Sequence, residues 1–429
     1  MKKTILIAAI ALGSLTAAAE TWSLDQCVDY AIQHNINVRQ RVLQVSQGEL
    51  DVTDAKDRFL PQVNGYASQN FNFGRGLTAD NTYANRNTNS FSVGANLSLP
   101  IFQGLSAIRR LDYSRKSLQA LVEQAESAKD DVTLNVISQY LQALYASEML
   151  QVARINLEIS ENELARRRQL LEAGKIPELD IYEAEAQVSQ DKLQVTSAES
   201  DSVMAKLDLA QILNLPTAEG FEILPLEDEN MPLLNPDDVF ANAWANNHTM
   251  RAGRLQEEAA AKNVSVAKAA YIPTLSFSAG IGTNYYKTSG FENESFGNQL
   301  KHNFAKSIGF SLSVPVFDAF STRNNVRRAR IQQETARLQL DESANQLYKS
   351  ITQAYTQALR ADKQQESSKA AVASTKAAFE AMKVKFDNGK ANATEFQKAK
   401  SDYTSSLAQE VQARYERILR VRILEFYNR

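Results

Sequence analysis

Leu97-Ser98-Leu99-Pro100-Ile101-Phe102 returns as Leu312-Ser313-Val314-Pro315-Val316-Phe317, and Gly174-Lys175 returns as Gly389-Lys390 at the same offset of about 215 residues. A looser echo precedes each unit, where Ala55-Lys56-Asp57-Arg58-Phe59-Leu60-Pro61 answers Ala267-Lys268-Ala269-Ala270-Tyr271-Ile272-Pro273. Three matches in one order make the chain an internal duplication. The repeated proline strings separate two kinds of segment, one with a period of two and one with a helical period.

The period-two segments lie before each proline string. Phe91, Val93, Ala95, Leu97 and Leu99 alternate with Ser90, Ser92, Gly94, Asn96 and Ser98, and Ile308, Phe310, Leu312 and Val314 alternate with Ser307, Gly309, Ser311 and Ser313. Leu275, Phe277, Ala279 and Ile281 repeat the pattern after Pro273. Val63, Ala67, Phe71 and Phe73 give a weaker version after Pro61. These make four strands in two hairpins, bounded by residues 62–100 and 274–315. Each is close to the length that crosses a bilayer at a tilt, and apolar residues alternate with small polar ones as in a barrel facing lipid outward and water inward. Gly74 to Asn89 and Tyr286 to Asn303 are long hairpin tips rich in Asn, Gly and Ser.

The helical segments come after the proline strings. Residues 105–172 and 319–387 contain neither proline nor glycine and are rich in Ala, Leu, Gln, Glu and Arg. Leu340, Ala344, Leu347, Ile351, Ala354 and Ala358 recur at alternating steps of four and three, as do Leu118, Leu121, Ala125, Ala128 and Val132, which is a coiled-coil seam. Leu24 to Arg58 and residues 177–213 flank the first long helix. Val239 to Tyr271 and residues 394–426 flank the second. Two short helices stacked end to end match one long helix, so each half contributes two rods to an elongated helical layer.

The two ends of the domain scheme are a leader and a crossing. Lys2-Lys3, an apolar stretch to Thr16 and the small residues Ala17-Ala18-Ala19 predict a cleaved signal peptide over 1–19. The first structural repeat is then 20–213 and the second 239–429. The segment 214–238, with Pro216, Pro225, Pro232, Pro236 and the acidic run Glu227-Asp228-Glu229, links them.

Composition excludes several classes of function. The 47 Lys and Arg nearly balance 50 Asp and Glu, which leaves no basic stripe for nucleic acid. The one cysteine, Cys27, sits among Leu24, Val28, Ala31 and Ile32 at helical spacing and reads as a core thiol. His34, His248 and His302 are scattered. No His-Glu-x-x-His, Gly-x-Ser-x-Gly or phosphate loop occurs, and Gly74-Arg-Gly76 and Gly280-Ile-Gly282 read as hairpin glycines. No enzyme, cofactor or metal site is expected.

Four strands cannot close alone, because an open edge in lipid leaves backbone groups unpaired at several kcal/mol each. Copies must therefore associate head to tail, in a number the residues leave open between two, three and four.

The ordered set of short helix, proline-led hairpin ending in Leu-Ser-x-Pro-x-Phe, long helix, Gly-Lys turn and short helix, all duplicated, resembles the outer-membrane efflux duct family. The opening Trp22-Ser23-Leu24-Asp25-Gln26-Cys27 is similar to that family's start. The resemblance implies a mixed α and β membrane protein: a homotrimer with a transmembrane β-barrel of four strands per protomer, continued by a long α-helical coiled-coil barrel across the periplasm. It implies an outer-membrane exit duct of a tripartite efflux or type I secretion system. Such a duct is passive and served by a periplasmic adaptor and an inner-membrane transporter of RND or ABC type. It places adaptor docking at Gly174, Lys175, Gly389 and Lys390. The family's pore constriction maps onto Asp180, Glu395 and Lys398, with Lys398 where the family has a second acid. Its latch tyrosine and arginine fall on Phe386 and Ala391. A different class of protein, a periplasm-spanning coiled-coil scaffold or adhesin with no cargo, has the same coarse pattern.

Overall fold

The computed structural model describes residues 21–77, 81–85, 87–215, 221–226 and 232–428. The expected signal peptide and the acidic run Glu227-Asp228-Glu229 lie outside the described residues. In chain order, β1 (Thr21–Trp22) leads into α1 (Leu24–His34) and α2 (Ile36–Asp57), then β2 (Gln62–Asn72), β3 (Arg75–Leu77), β4 (Tyr83–Asn85) and β5 (Thr88–Gln103). Next come α3 (Ser106–Glu172), α4 (Leu179–Leu213) and β6 (Glu222–Ile223). The second half runs α5 (Pro236–Asn246), α6 (His248–Ala269), β7 (Thr274–Thr288), α7 (Phe296–His302), β8 (Ala305–Ser313), α8 (Ser321–Asp387) and α9 (Ala393–Tyr427).

The chain divides into two compact units. The first comprises residues up to Val42, Gln124–Met250 and Ser343–Arg429. It is helical, and its main core gathers Cys27, Ala31, Val136, Tyr140, Leu209 and Leu213 from α1, α3 and α4. A second cluster joins Val239, Met250, Ile351, Ala358 and Leu424. The seam on α8 is realised, with Leu347, Ile351, Ala354 and Ala358 all buried. The Tyr140 hydroxyl donates to the carbonyls of Trp22 (3.0 Å) and Leu224 (2.6 Å), which ties the parallel pair β1 and β6 onto α3. Part of the proline-rich crossing is thus built into this core.

Each flanking helix that reads as continuous from Leu24 or Val239 is broken once, at Asn35 and at Asn247. Both asparagines take extended backbone, with φ −64° and −61°. Each side-chain oxygen accepts an amide two residues on, Asn37 at 2.9 Å and Thr249 at 3.0 Å, so each caps the next helix. The two breaks are a further echo of the duplication.

The second unit, Leu43–Glu123 and Arg251–Glu342, holds an antiparallel sheet in the order β2-β5-β7-β8. Register puts Phe91, Val93, Ala95 and Leu97 of β5 opposite Tyr285, Thr283, Ile281 and Ala279 of β7, and Phe277 opposite Phe310. One face is therefore apolar. The other is small and polar, with Gly94 opposite Gly282 and Gly280 opposite Ser307. Gly280 and Gly282 lie inside β7, as strand positions of the second hairpin.

Beyond Gly282, β8 no longer accompanies β7. There the loop closes the exposed strand edge with side-chain amides. Asn303 donates to the Asn284 carbonyl (2.8 Å), Gln299 pairs with both backbone groups of Tyr286 (2.9 and 3.1 Å), and Asn293 pairs with both of Thr288 (3.0 and 2.9 Å). Three amides thus stand in for a missing strand.

Where strand gives way to long helix, both repeats use two consecutive left-handed residues, Gly104 and Leu105 (φ +60° and +65°) and Ala319 and Phe320 (+51° and +63°). For the non-glycine members this costs about 1–2 kcal/mol each.

Replacing Tyr140 with Phe takes this donor from the Leu224 carbonyl, while the Trp22 carbonyl keeps the Leu224 amide (3.0 Å), and is expected to cost about 0.5–1.5 kcal/mol, read as a lower chemical-denaturation midpoint. Burial pushes the Cys27 thiol from its ordinary 9.0 up to about 12. As pH rises above 9.0 the unfolded thiol ionises while the folded one stays neutral, so stability falls through this window toward about 12. Cys27→Ala should flatten that alkaline slope, measured as midpoint against pH.

Candidate gate at the helix tips

Both long helices end in the same way. After α3, the amide of Gly174 donates to Leu171 (2.8 Å) and that of Lys175 to Leu170 (2.9 Å), with Gly174 at φ +64°. After α8, Gly389 donates to Phe386 (3.0 Å) and Lys390 to Lys385 (2.8 Å), with Gly389 at φ +70°. These are Schellman closures. A β-carbon on either glycine would meet nothing within 4 Å, so backbone conformation is what selects glycine. Gly174, Lys175, Gly389 and Lys390 are all exposed.

The return helices start differently. At α9, Asn392 accepts the Glu395 amide (2.8 Å) while the Glu395 carboxylate accepts the Asn392 amide (3.0 Å), a capping box. Glu395 is thus exposed and also fixed by its own helix start. At α4, Glu178 gives no side-chain cap; the amides of Asp180 and Ile181 turn back to Pro177 (3.2 Å) and Glu178 (3.0 Å), and the Asp180 carbonyl also accepts from Arg167 (2.9 Å). Lys398 is exposed and lines a cavity of about 560 Å³ with Glu163, Arg167, Glu183 and Gln187. Asp180 and Glu395 are not among its lining residues, and Glu395 and Lys398 lie one turn apart on α9.

Two arrangements escaped the sequence reading. The first is a clasp. Arg166 of α3 donates to the Phe386 carbonyl (2.7 Å), pairs with Asp387 (3.2 Å) and Glu163 (3.5 Å), and places its guanidinium 4.4 Å from the Phe386 ring centroid. Phe386 stacks on Phe396 at 4.7 Å, and Phe396 packs on Phe379 at 5.7 Å. The end of α8 is therefore fastened to α3 by one planar cation that uses its edge for oxygen and its face for the ring. Phe386, where the resemblance places a latch tyrosine, is held through its carbonyl and its ring instead of through a hydroxyl.

The second is a buried polar knot joining α3, α4 and α9. Lys400 and Asp191 are 1% and 2% exposed and 2.8 Å apart. Ser160 bridges them, donating to Asp191 and accepting from Lys400. Asn156 (3.0 Å) and Gln187 (2.9 Å) complete the shell of Asp191. A signal existed in the sequence, because Lys400 sits on the same stripe of α9 as Phe396, Leu407 and Val411.

The sequence matches the outer membrane efflux protein family over residues 27–215 and 239–426. The chain belongs to that family. This outer-membrane efflux protein is 24% identical over 346 residues to outer membrane protein TolC of Vibrio cholerae serotype O1, covering 77% of this chain and 73% of that protein. It is 24% identical over 319 residues to the probable outer membrane lipoprotein SilC of Salmonella typhimurium, covering 72% of this chain and 65% of that protein. Among solved structures it superposes on the Campylobacter jejuni CmeC outer membrane channel with a TM-score of 0.80 at 18% identity, over 94% of this chain and 85% of that one. Against the open state of the Neisseria gonorrhoeae MtrE outer membrane channel the TM-score is 0.74 at 18% identity, over 97% and 92% of the two chains. These superpositions establish the fold, a helical part with a β part, and family membership makes this efflux protein a duct of the outer membrane.

Lys400→Met strands Asp191 in the interior and should destabilise the efflux protein by about 3–5 kcal/mol, whereas Lys400→Met with Asp191→Leu should recover most of that loss, both measured by chemical denaturation. Arg166→Ala should leave the midpoint closer to wild type but speed limited proteolysis at Phe386 to Lys390.

Proposed function

We propose that three copies of this chain close head to tail into a twelve-strand barrel and act as the passive exit duct of a tripartite efflux or secretion assembly. The carrying observation is the four-strand sheet with an outward-exposed apolar face and two outer strands, β2 and β8. Val63, Ile308, Phe310 and Leu312 on that face are 65%, 76%, 68% and 66% exposed, which only lipid or another chain can cover without cost. The opposite face of serine, asparagine and glycine suits a wetted bore. A β2 edge meeting the β8 edge of the next copy repeats the same heterologous contact until the ring closes.

In this reading the repeats 20–213 and 239–429 are the structural units, joined through 214–238. The tip turns at Gly174-Lys175 and Gly389-Lys390 receive a periplasmic adaptor, which links the duct to an inner-membrane transporter of RND or ABC type. Glu395 and Lys398 of the three copies face the constriction, with Asp180 beside them. A lysine ring one turn from a glutamate ring partly offsets its charge and weakens cation preference relative to an all-acid ring.

Purified protein in planar bilayers should give discrete conductance steps, and cross-linking in detergent should stop at a trimer. A silent protein, or a stable monomer or dimer, overturns the reading. Glu395→Gln with Lys398→Gln should change the cation to anion permeability ratio; an unchanged ratio removes both residues from the constriction.

A further inference from the structure

We propose that Gly94 and Gly282 are glycines so that the Tyr66 ring can lie flat across them, and that this parking keeps the bore of the barrel free. The inference rests on the duct reading, in which the small polar face lines the lumen. Tyr66 belongs to that face by register, between Asn64 opposite Asn96 and Ser68 opposite Ser92. The Ser68 and Ser92 hydroxyls meet at 2.7 Å, which fixes the orientation of this row. Tyr66 faces Gly94 of β5, and Gly94 faces Gly282 of β7.

The side chain does not stand up from the sheet. A β-carbon on Gly94 would lie 2.8 Å from the Tyr66 hydroxyl and 2.9 Å from its Cζ, and one on Gly282 would lie 3.1 Å from the same hydroxyl. The ring therefore leans over β5 and ends above β7, occupying the volume that two β-carbons would take. It remains 44% exposed. Among the described strand positions on this face, only Tyr66 and Tyr286 are aromatic; the rest are serine, threonine, asparagine, glutamine, glycine, alanine and proline. Tyr66 is thus a large side chain in a wall of small ones, parked on a glycine pavement. Glycine in a strand interior weakens the strand, so its presence at both crossing points needs a reason, and close approach of the ring supplies it. Displaced from the pavement, the ring would project inward, once per copy.

The two glycines differ as test positions. At Gly94 a β-carbon would also stand 2.5 Å from the Ile281 carbonyl, so backbone must move, whereas at Gly282 the next contact is the Val93 carbonyl at 3.2 Å. Gly282→Leu is the variant that lifts the ring with less disturbance of the ladder.

The test is single-channel conductance of the full-length protein in planar bilayers. Tyr66→Ala should conduct within about a fifth of wild type, Gly282→Leu about twofold less, and Tyr66→Ala with Gly282→Leu should regain the wild-type value. Unchanged conductance in Gly282→Leu, or a loss that persists in the double variant, overturns the proposal. A second measurement covers failure of Gly282→Leu to assemble. Tyr66→Cys treated with a bulky cationic methanethiosulfonate should lose conductance, while Ala67→Cys on the apolar face should not; the native Cys27 is fully buried and stays silent. No effect at position 66 overturns the proposal. If wild type itself does not conduct, it is the duct reading that fails.

Discussion

The constraint on which this structure turns is the backbone of its outer strands. A sheet ordered β2-β5-β7-β8 satisfies the inner strands on both sides and leaves one edge each on β2 and β8. In water such edges are tolerable; beside lipid each unpaired amide and carbonyl costs several kcal/mol, and only closure removes the edge. The chain treats its edges unequally. Where β7 outruns β8, amides from Asn293, Gln299 and Asn303 satisfy the strand locally, so that this stretch is not offered to another chain. The edge of β8 between Ala305 and Ser313 carries no such cover among the described hydrogen bonds. The pairing surface is thereby confined to a defined length.

Duplication supplies the scaffold twice and places the difference at the tips. Asn35 and Asn247 interrupt equivalent helices, paired left-handed residues open both long helices, and identical Gly-Lys closures end them. Past the closures the two repeats diverge. The second return helix is fixed by a capping box at Asn392 and Glu395, while the first lacks a side-chain cap and its first amides, of Asp180 and Ile181, turn back to the carbonyls of Pro177 (3.2 Å) and Glu178 (3.0 Å). One start is closed by side chains and the other by backbone alone.

The fold class was legible because its signals are periodic. Alternation over Phe91 to Leu99 and Ser307 to Val314, and the 3.5-residue stripe from Leu340 to Ala358, report faces directly, since a face is a property of spacing. The breaks at Asn35 and Asn247 were not legible, because asparagine inside a helical run is only mildly unfavourable and its capping role depends on backbone geometry. Of the candidate site, the turn glycines declared themselves, whereas the Arg166 clasp joins residues some 220 positions apart and has no local signature. Lys400 was the intermediate case. A lysine in the stripe of Phe396, Leu407 and Val411 is visible, but its partners lie on two other helices.

That buried pair also bears on why the helical unit is specific. Desolvating Lys400 and Asp191 costs several kcal/mol per ion, and their attraction with Ser160, Asn156 and Gln187 returns most of it, so the knot adds little net stability over an apolar packing of the same volume. Its effect is on alternatives. An alanine-rich seam repeats every three or four residues, and one helix can slide along another by a turn with little change in apolar contact. A slip of α9 against α3 and α4 would part Lys400 from Asp191 and bury both charges unpaired, which makes the shifted registers unfavourable where the apolar seam alone would leave them close in energy. The Phe386, Phe396 and Phe379 stack and the Arg166 clasp then inherit a fixed register, and the tip they hold together can be positioned only because the knot has already chosen which residues face each other.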